Sequence, residues 1–203
     1  MPLHTMFGLN GVGKDTIASE LREKNKNLVT TSESRMLMYL LGITDGVTTD
    51  ISVGRAQYSQ LESTPQEKIV ELEQGGPMEE LLGSIAIGKQ PVLNLSHLVF
   101  ATYLDGNVAY LEKSKPEWYV KSSDVFVNVV APSEVVLQRR IGESATRERI
   151  TSGEEEIMHH QALCDSEWDR MQTLGLPTTR FVVVENVDLD TAVRATEEAI
   201  YGK

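Results

Sequence analysis

The stretch Gly8-Leu-Asn-Gly-Val-Gly-Lys-Asp-Thr16 constrains this chain more than any other. It sets Gly8, Gly13 and Lys14 in the order glycine, four residues, glycine, lysine, with a further glycine at Gly11. Glycine reaches backbone conformations closed to other residues and lets main-chain N–H groups come close to an anion. Lys14 adds a mobile ammonium, and a helix starting here would point its N-terminal partial positive charge at the same place. The flanks agree. Leu3 to Phe7 is apolar enough for a buried strand, and Ile17, Ala18 and Leu21 recur at helical spacing, with Glu20, Arg22, Glu23 and Lys24 on the other side. Strand, glycine-rich loop and helix in sequence distinguish a phosphate-binding loop from a chance match. Gly8, Leu9, Asn10, Gly11, Val12, Gly13, Lys14, Asp15 and Thr16 are therefore the candidate nucleotide-phosphate contacts.

The residue after the lysine is usually Ser or Thr, whose hydroxyl touches Mg²⁺. Here it is Asp15, followed by Thr16. A carboxylate can serve Mg²⁺ directly or through its waters, since the ion prefers hard oxygen ligands. The alternative is an Asp15 that caps the helix and faces solvent. Asp15 and Thr16 are the candidate metal residues, and Mg²⁺ the expected cofactor.

The chain has 203 residues, 40% of them hydrophobic and 24% charged, which suits one soluble domain over 1–203. A net charge of −11 gives no general attraction to a nucleic-acid polymer or an anionic membrane. No apolar run approaches membrane-span length, and no basic stretch precedes an apolar signal segment. Cys164 is the single cysteine, so an internal disulfide is excluded. A cytoplasmic protein is the expectation.

Strand and helix patterns alternate, which predicts a parallel sheet covered by helices on both faces. Strands are expected at Asn27 to Thr31, Val92 to Leu95, Val125 to Val130 and Phe181 to Val184, besides the first. Helices are expected at Ser34 to Leu41, Arg55 to about Gln74 with a break near Pro65, and Pro77 to Ile87. A further helix opens at Pro132 and Glu134 and carries Val136, Leu137 and Ile141 inward. Ser152-Gly-Glu-Glu155 reads as a capping box opening a long helix, and Leu189 to Ile200 as a final amphipathic one. Ser96 to Lys121 is of mixed character. About five strands fit a doubly wound nucleotide-binding fold.

Arg139, Arg140, Arg147 and Arg149 cluster within an otherwise acidic protein. The planar guanidinium holds phosphate oxygens by paired hydrogen bonds and stays charged. Phosphoryl transfer is catalysed mainly by positioning and charge neutralisation, which such residues supply. The competing reading sets them at helix ends and in surface pairs with Glu143, Glu148 and Glu154.

Taken together, these segments resemble the archaeal-type adenylate kinases among the P-loop nucleoside monophosphate kinases. The resemblance runs through the loop, Thr31-Ser-Glu-Ser-Arg-Met36, Leu61-Glu-Ser-Thr-Pro-Gln-Glu-Lys-Ile69, Val92-Leu-Asn-Leu-Ser-His97, Ala131 to Ile141 and Ser144-Ala-Thr-Arg-Glu-Arg149. It implies a three-layer αβα P-loop core with a mainly parallel sheet. It also implies acceptor-binding helices within about 32–75 and a short arginine-bearing lid at about 142–152. By resemblance Lys14, Arg139, Arg147 and Arg149 are catalytic, and Arg140 joins the ATP site. Ser34, Arg35 and Arg55 would hold the acceptor. The implied partners are ATP and a nucleoside monophosphate, most simply AMP, and homo-oligomers occur in the family. Two positions depart from the pattern: Asn94 stands where an acidic residue usually ends the third strand, and Ser59 where an acceptor-binding arginine is expected. A non-catalytic nucleotide-responsive module and a kinase for another small acceptor are the alternatives.

Among other residues, Ser96 and His97 follow the third strand at the edge where ligands gather in open α/β sheets. His97 reads either as a phosphate contact or as a histidine satisfied by neighbouring backbone. Trp118 and Trp168 read as packing residues.

Overall fold

The computed structural model describes residues 2–50, 52–88, 90–98, 101–104, 107–110, 114–144 and 153–202. Five parallel strands form one sheet: β1 (Leu3–Phe7), β2 (Val29–Ser32), β3 (Val92–Leu95), β6 (Val125–Val130) and β7 (Arg180–Glu185), in the order β2-β3-β1-β6-β7. Between β3 and β6 the chain makes an antiparallel hairpin, β4 (Ala101–Leu104) and β5 (Asn107–Tyr110), which lies outside the main sheet. Part of the mixed-character stretch is thus this hairpin, and part is the short helix α6 (Glu117–Ser122).

β1 is buried along its whole length because it has a strand on each side and helices on both faces. Parallel strands buried this way need no polar alternation, which is why Val92–Leu95 and Val125–Val130 read as continuous runs. On one face α1 (Lys14–Lys24) packs over β2 and β3 and against α9 (Leu189–Tyr201), which covers β6 and β7. The other face meets a layer in which α2 (Glu33–Leu40), α5 (Gly76–Ala86), α6 and α8 (Glu154–Leu174) pack in succession, with α7 (Ser133–Ser144) against α8. Phe7 stacks on Phe126, Phe126 on Phe181, and Trp168 of α8 meets Phe7 and Phe181 edge-on. This aromatic column fixes the sheet to the α8 layer, and Trp168 is a packing residue as expected.

The break at Pro65 is real. α3 (Arg55–Glu62) stops, and α4 (Gln66–Gln74) starts with Pro65 as its N-cap, because proline cannot donate within a helix and clashes with the preceding turn. One local expectation fails: Ile141 is 46% exposed rather than turned inward, while Val136 of the same helix is buried. Ser152 of the expected capping box lies outside the described residues; the N-cap of α8 is Gly153, and Glu154 accepts from Ser133 Oγ at 2.8 Å.

Strand order decides where a ligand can sit. The chain leaves β1 to build β2 on one side and leaves β3 to build β6 on the other. The C-terminal ends of β1 and β3 therefore border a topological switch point, the place where connections part and leave a crevice.

Candidate functional site

The loop after β1 enters that crevice and turns into α1 at Gly13, which is the N-cap of the helix with φ of 89°. A side chain is disfavoured there twice over: the backbone is left-handed, and a Cβ would come within 2.5 Å of Asn186 Nδ2. Leu9 and Val12 are buried and anchor the loop to the core. Its carbonyl oxygens are tied back on the side away from the crevice. Val12 O accepts from Asn186 Nδ2 at 2.7 Å and from Arg139 Nη1 at 3.1 Å, and Asn10 O accepts from Arg140 Nε at 2.9 Å. In a trans peptide the C=O and N–H point in opposite directions. Tying back the Val12 and Asn10 carbonyls thus turns the N–H groups of Gly13 and Gly11 the other way, and both glycines line the cleft.

The cleft has a volume of about 470 Å³. The loop and α1 form one wall, with Asn10, Gly11, Gly13, Lys14, Asp15 and Thr16; Ser34, Arg35, Tyr58 and Thr49 stand on the other side. Lys14 is almost fully buried, and Asp15 and Thr16 are exposed in the first turn of α1. Lys14, Asp15, Thr16, Ser34 and Arg35 thus line one cleft. Arg55 is not: it lies on the outer side of α3, 67% exposed, and pairs with Glu62 at 2.8 Å, while Tyr58 of the same helix lines the cleft.

The arginines need a correction. Arg139 does not line the cleft; its guanidinium bridges Val12 O and, at 2.9 Å, Asn186 O. Arg140 packs under the loop, with its Cγ 3.1 Å from where a Gly11 Cβ would be. Both brace the loop from behind instead of facing a phosphate. Arg147 and Arg149, and most of the expected lid at 142–152, lie outside the described residues.

At the floor stands a charged group that sequence reasoning missed. Glu33, at the start of α2, is buried and forms an ion pair with buried Lys115. Its second oxygen accepts from Ser96 Oγ at 2.6 Å and from the backbone N–H of His97 at 3.2 Å. Burial alone would raise the carboxyl, but Lys115, a hydrogen bond with Glu73 and the neighbouring His97 hold it down at about 2. Lys115 is fixed in turn: its N–H donates to Glu167 Oε1 at 2.9 Å and its carbonyl accepts from Arg170 at 2.7 Å. His97 lines the cleft above this group and is kept neutral; burial first, then Lys14, lower it to about 3. Asn94 belongs elsewhere. It shares a sheet face with Thr5 and Phe126, donates to Tyr119 Oη at 2.8 Å and does not line the cleft.

No family model and no curated protein matches the chain. Solved structures do. The crystal structure of shikimate kinase from Bacteroides thetaiotaomicron is 12% identical and aligns over 97% of this chain and 97% of its own, with a TM-score of 0.54. Shikimate kinase from Acinetobacter baumannii, in complex with shikimate, is 14% identical over 100% of this chain and 95% of its own, with a TM-score of 0.53. The fold is the three-layer αβα P-loop fold. Within that P-loop fold, the loop, its bracing residues and the cleft occupy the switch point described above.

The described residues contain no cluster of three or more His, Cys, Asp or Glu able to cage a metal. Mg²⁺ does not require one, because it is commonly held by one or two carboxylates together with substrate phosphates and waters. Asp15 and Thr16, two oxygen donors beside Lys14 on the cleft wall, fit that mode. No described helix is long and apolar enough to cross a membrane.

Proposed function

We propose that this protein is an ATP-dependent phosphotransferase acting on a small molecule, with a nucleoside monophosphate, AMP first, as acceptor. The observation that carries the reading is the loop itself, with its Gly11 and Gly13 amides and the Lys14 ammonium turned into a cleft whose opposite wall is polar. Bound ATP would place its β- and γ-phosphates against these donors, which act as fixed dipoles where charge develops in transfer. Mg²⁺, held through Asp15 and Thr16, would neutralise charge on the same phosphate oxygens. Across the cleft, Ser34 and Arg35 would orient the acceptor. A monophosphate is already an anionic nucleophile at neutral pH, so no side chain need accept a proton from it. Neutral His97 would add a hydrogen-bonding group beside Lys14 without adding charge.

A second reading takes a hydroxyl of a small carboxylate as acceptor. The Glu33 carboxylate and the hydroxyls on the acceptor wall favour it, and the two solved structures of this fold named above are shikimate kinases. A coupled assay for ADP formation separates the readings, with ATP and Mg²⁺ against AMP, CMP, GMP, UMP and shikimate in turn. ADP formation dependent on a monophosphate supports the first, and dependence on shikimate alone replaces it by the second. Tight ATP retention without acceptor-dependent turnover would make the protein a nucleotide-responsive module instead.

A further inference from the structure

The two edges of the main sheet are finished differently. At the β2 edge the chain covers itself: Thr48 bridges to Thr31, and Thr49 N–H donates to Thr30 O at 2.9 Å. At the β7 edge no described segment does so. β7 pairs with β6 without a break from Arg180 to Glu185. The N–H of Arg180 donates to Asp124 O at 2.9 Å, and that of Asn186 to Val130 O at 2.8 Å. Backbone polar groups of successive strand residues point to alternate sides, so Arg180, Val182 and Val184 turn theirs to β6. Those of Phe181, Val183 and Glu185 face outward, and among the described residues nothing pairs with them.

An open edge is a template for another strand, and proteins that keep it single guard it with lysine, proline or a bulge. The sequence Arg-Phe-Val-Val-Val-Glu has no such guard at its centre. Val183 is 55% exposed there, and Leu176 and Val187 in the flanking segments are 44% and 59% exposed.

We propose that β7 is a dimerisation edge, along which a second copy of this chain pairs antiparallel about a two-fold axis at Val183. The strand itself selects this occupant. The antiparallel register centred on Val183 gives every outward-facing residue a partner, Val183 against Val183 and Phe181 against Glu185, each pair exchanging both N–H···O bonds. It sets Val182 against Val184 on the other face. Antiparallel pairing also brings Arg180 to the end of the second strand that carries Glu185, so opposite charges meet at both ends. Asp124 and Asp188, near those ends, are engaged by the N–H groups of Leu3 and Thr191. The net charge of −11 on each copy opposes association at long range, and salt screens that repulsion. Six residues make a small interface, so the dimer is a weak one.

The test is sedimentation velocity of the full chain from about 1 to about 500 µM, in about 0.15 M salt. Wild type is expected to pass from monomer to dimer over the series. Val183→Lys adds an edge guard, and Val183→Pro deletes an outward N–H that β6 does not use. Each should weaken association at least about tenfold while unfolding in urea at the wild-type midpoint. Ile87→Lys, at an exposed apolar residue beyond α5, should dimerise like wild type. At the two-fold axis the facing Cα atoms would be about 5.5 Å apart, within disulfide reach, so Val183→Cys should cross-link on oxidation and Ile87→Cys should not. Cys164 is buried and leaves that readout clear. A monomer across the whole series overturns the proposal, as does a dimer indifferent to both Val183→Lys and Val183→Pro, or a Val183→Cys dimer that fails to cross-link.

Discussion

The Asn186 side-chain amide donates to the carbonyl oxygen of Val12 at 2.7 Å across 174 residues of sequence. Asn186 is itself held, with its N–H on Val130 O at 2.8 Å and its carbonyl accepting from Arg139. The phosphate loop therefore owes its shape to a residue just beyond β7, at the far edge of the sheet. Asn186→Ala removes the shorter of two bonds to Val12 O and leaves Arg139 to hold it alone. A lost buried hydrogen bond is worth about 1–3 kcal/mol, so ATP affinity should fall about 5- to 150-fold in titration calorimetry. Unchanged affinity would mean that the loop keeps its shape without the brace.

Asp15 places a carboxylate where the phosphates and their metal would gather. Without Mg²⁺ it would repel the phosphates of ATP, and with Mg²⁺ it would serve as a ligand. Asp15→Ser should therefore bind ATP more tightly in EDTA, by about 5- to 10-fold for removal of one exposed like charge at short range, and more weakly when Mg²⁺ is present. Titrations with and without the metal check the crossing. Parallel shifts of the same sign would reject Asp15 as a metal residue.

The Glu33–Lys115 pair lies out of water; Ser96 Oγ and the His97 N–H donate to the Glu33 carboxylate, and Glu167 holds the Lys115 backbone N–H. Breaking such a pair leaves a buried charge uncompensated, so Lys115→Met should destabilise the protein by about 3–5 kcal/mol in urea unfolding. The double variant Glu33→Gln, Lys115→Met should recover much of that. Additive losses in the two single variants would show that the groups do not depend on each other.

His4 is buried in β1, and neither ring nitrogen has a hydrogen-bond partner among the described residues. Burial lowers it from 6.5 to about 4, against the pull of Asp124. The folded protein thus resists protonating it, so its contribution to stability is fully present above pH 6.5 and is lost as pH falls from there through about 4. His4→Leu should flatten the fall in unfolding free energy over that window by up to about 1.4 kcal/mol per pH unit. His97 and His160 are also lowered by burial and will leave some slope behind. An unaltered slope would place His4 in water.

The parts of this molecule that are legible in the sequence are those governed by neighbouring residues. β1, the loop and the start of α1 follow from local pattern, and the ends of β3 and β6 fall where their apolar runs end. Residues whose role depends on distant partners were not legible. Arg22 reads as part of a solvated helix face, yet a wall built from β2 and α2 turns that face into a cleft. Arg139 looks like a phosphate ligand by motif, but Asn186, invisible at that range, recruits it to the loop's back. Glu33 sits inside a quoted motif without any local signal, because its partner is 82 residues away.

Strand β1 is the first element of the chain and also the middle of the sheet, with neighbours that begin at Val92 and Val125. A nascent polypeptide emerging in order must hold Leu3 to Phe7 without any strand partner until Val92–Leu95 is made, and with one side open until β6 follows, past the midpoint of the sequence. Distant pairings of this kind are slow to close and leave apolar side chains and an unpaired strand edge exposed meanwhile. The loop can therefore take its working shape only in the finished sheet, and a fragment ending before β6 would carry the whole glycine stretch yet lack Arg139 and Asn186 to brace it.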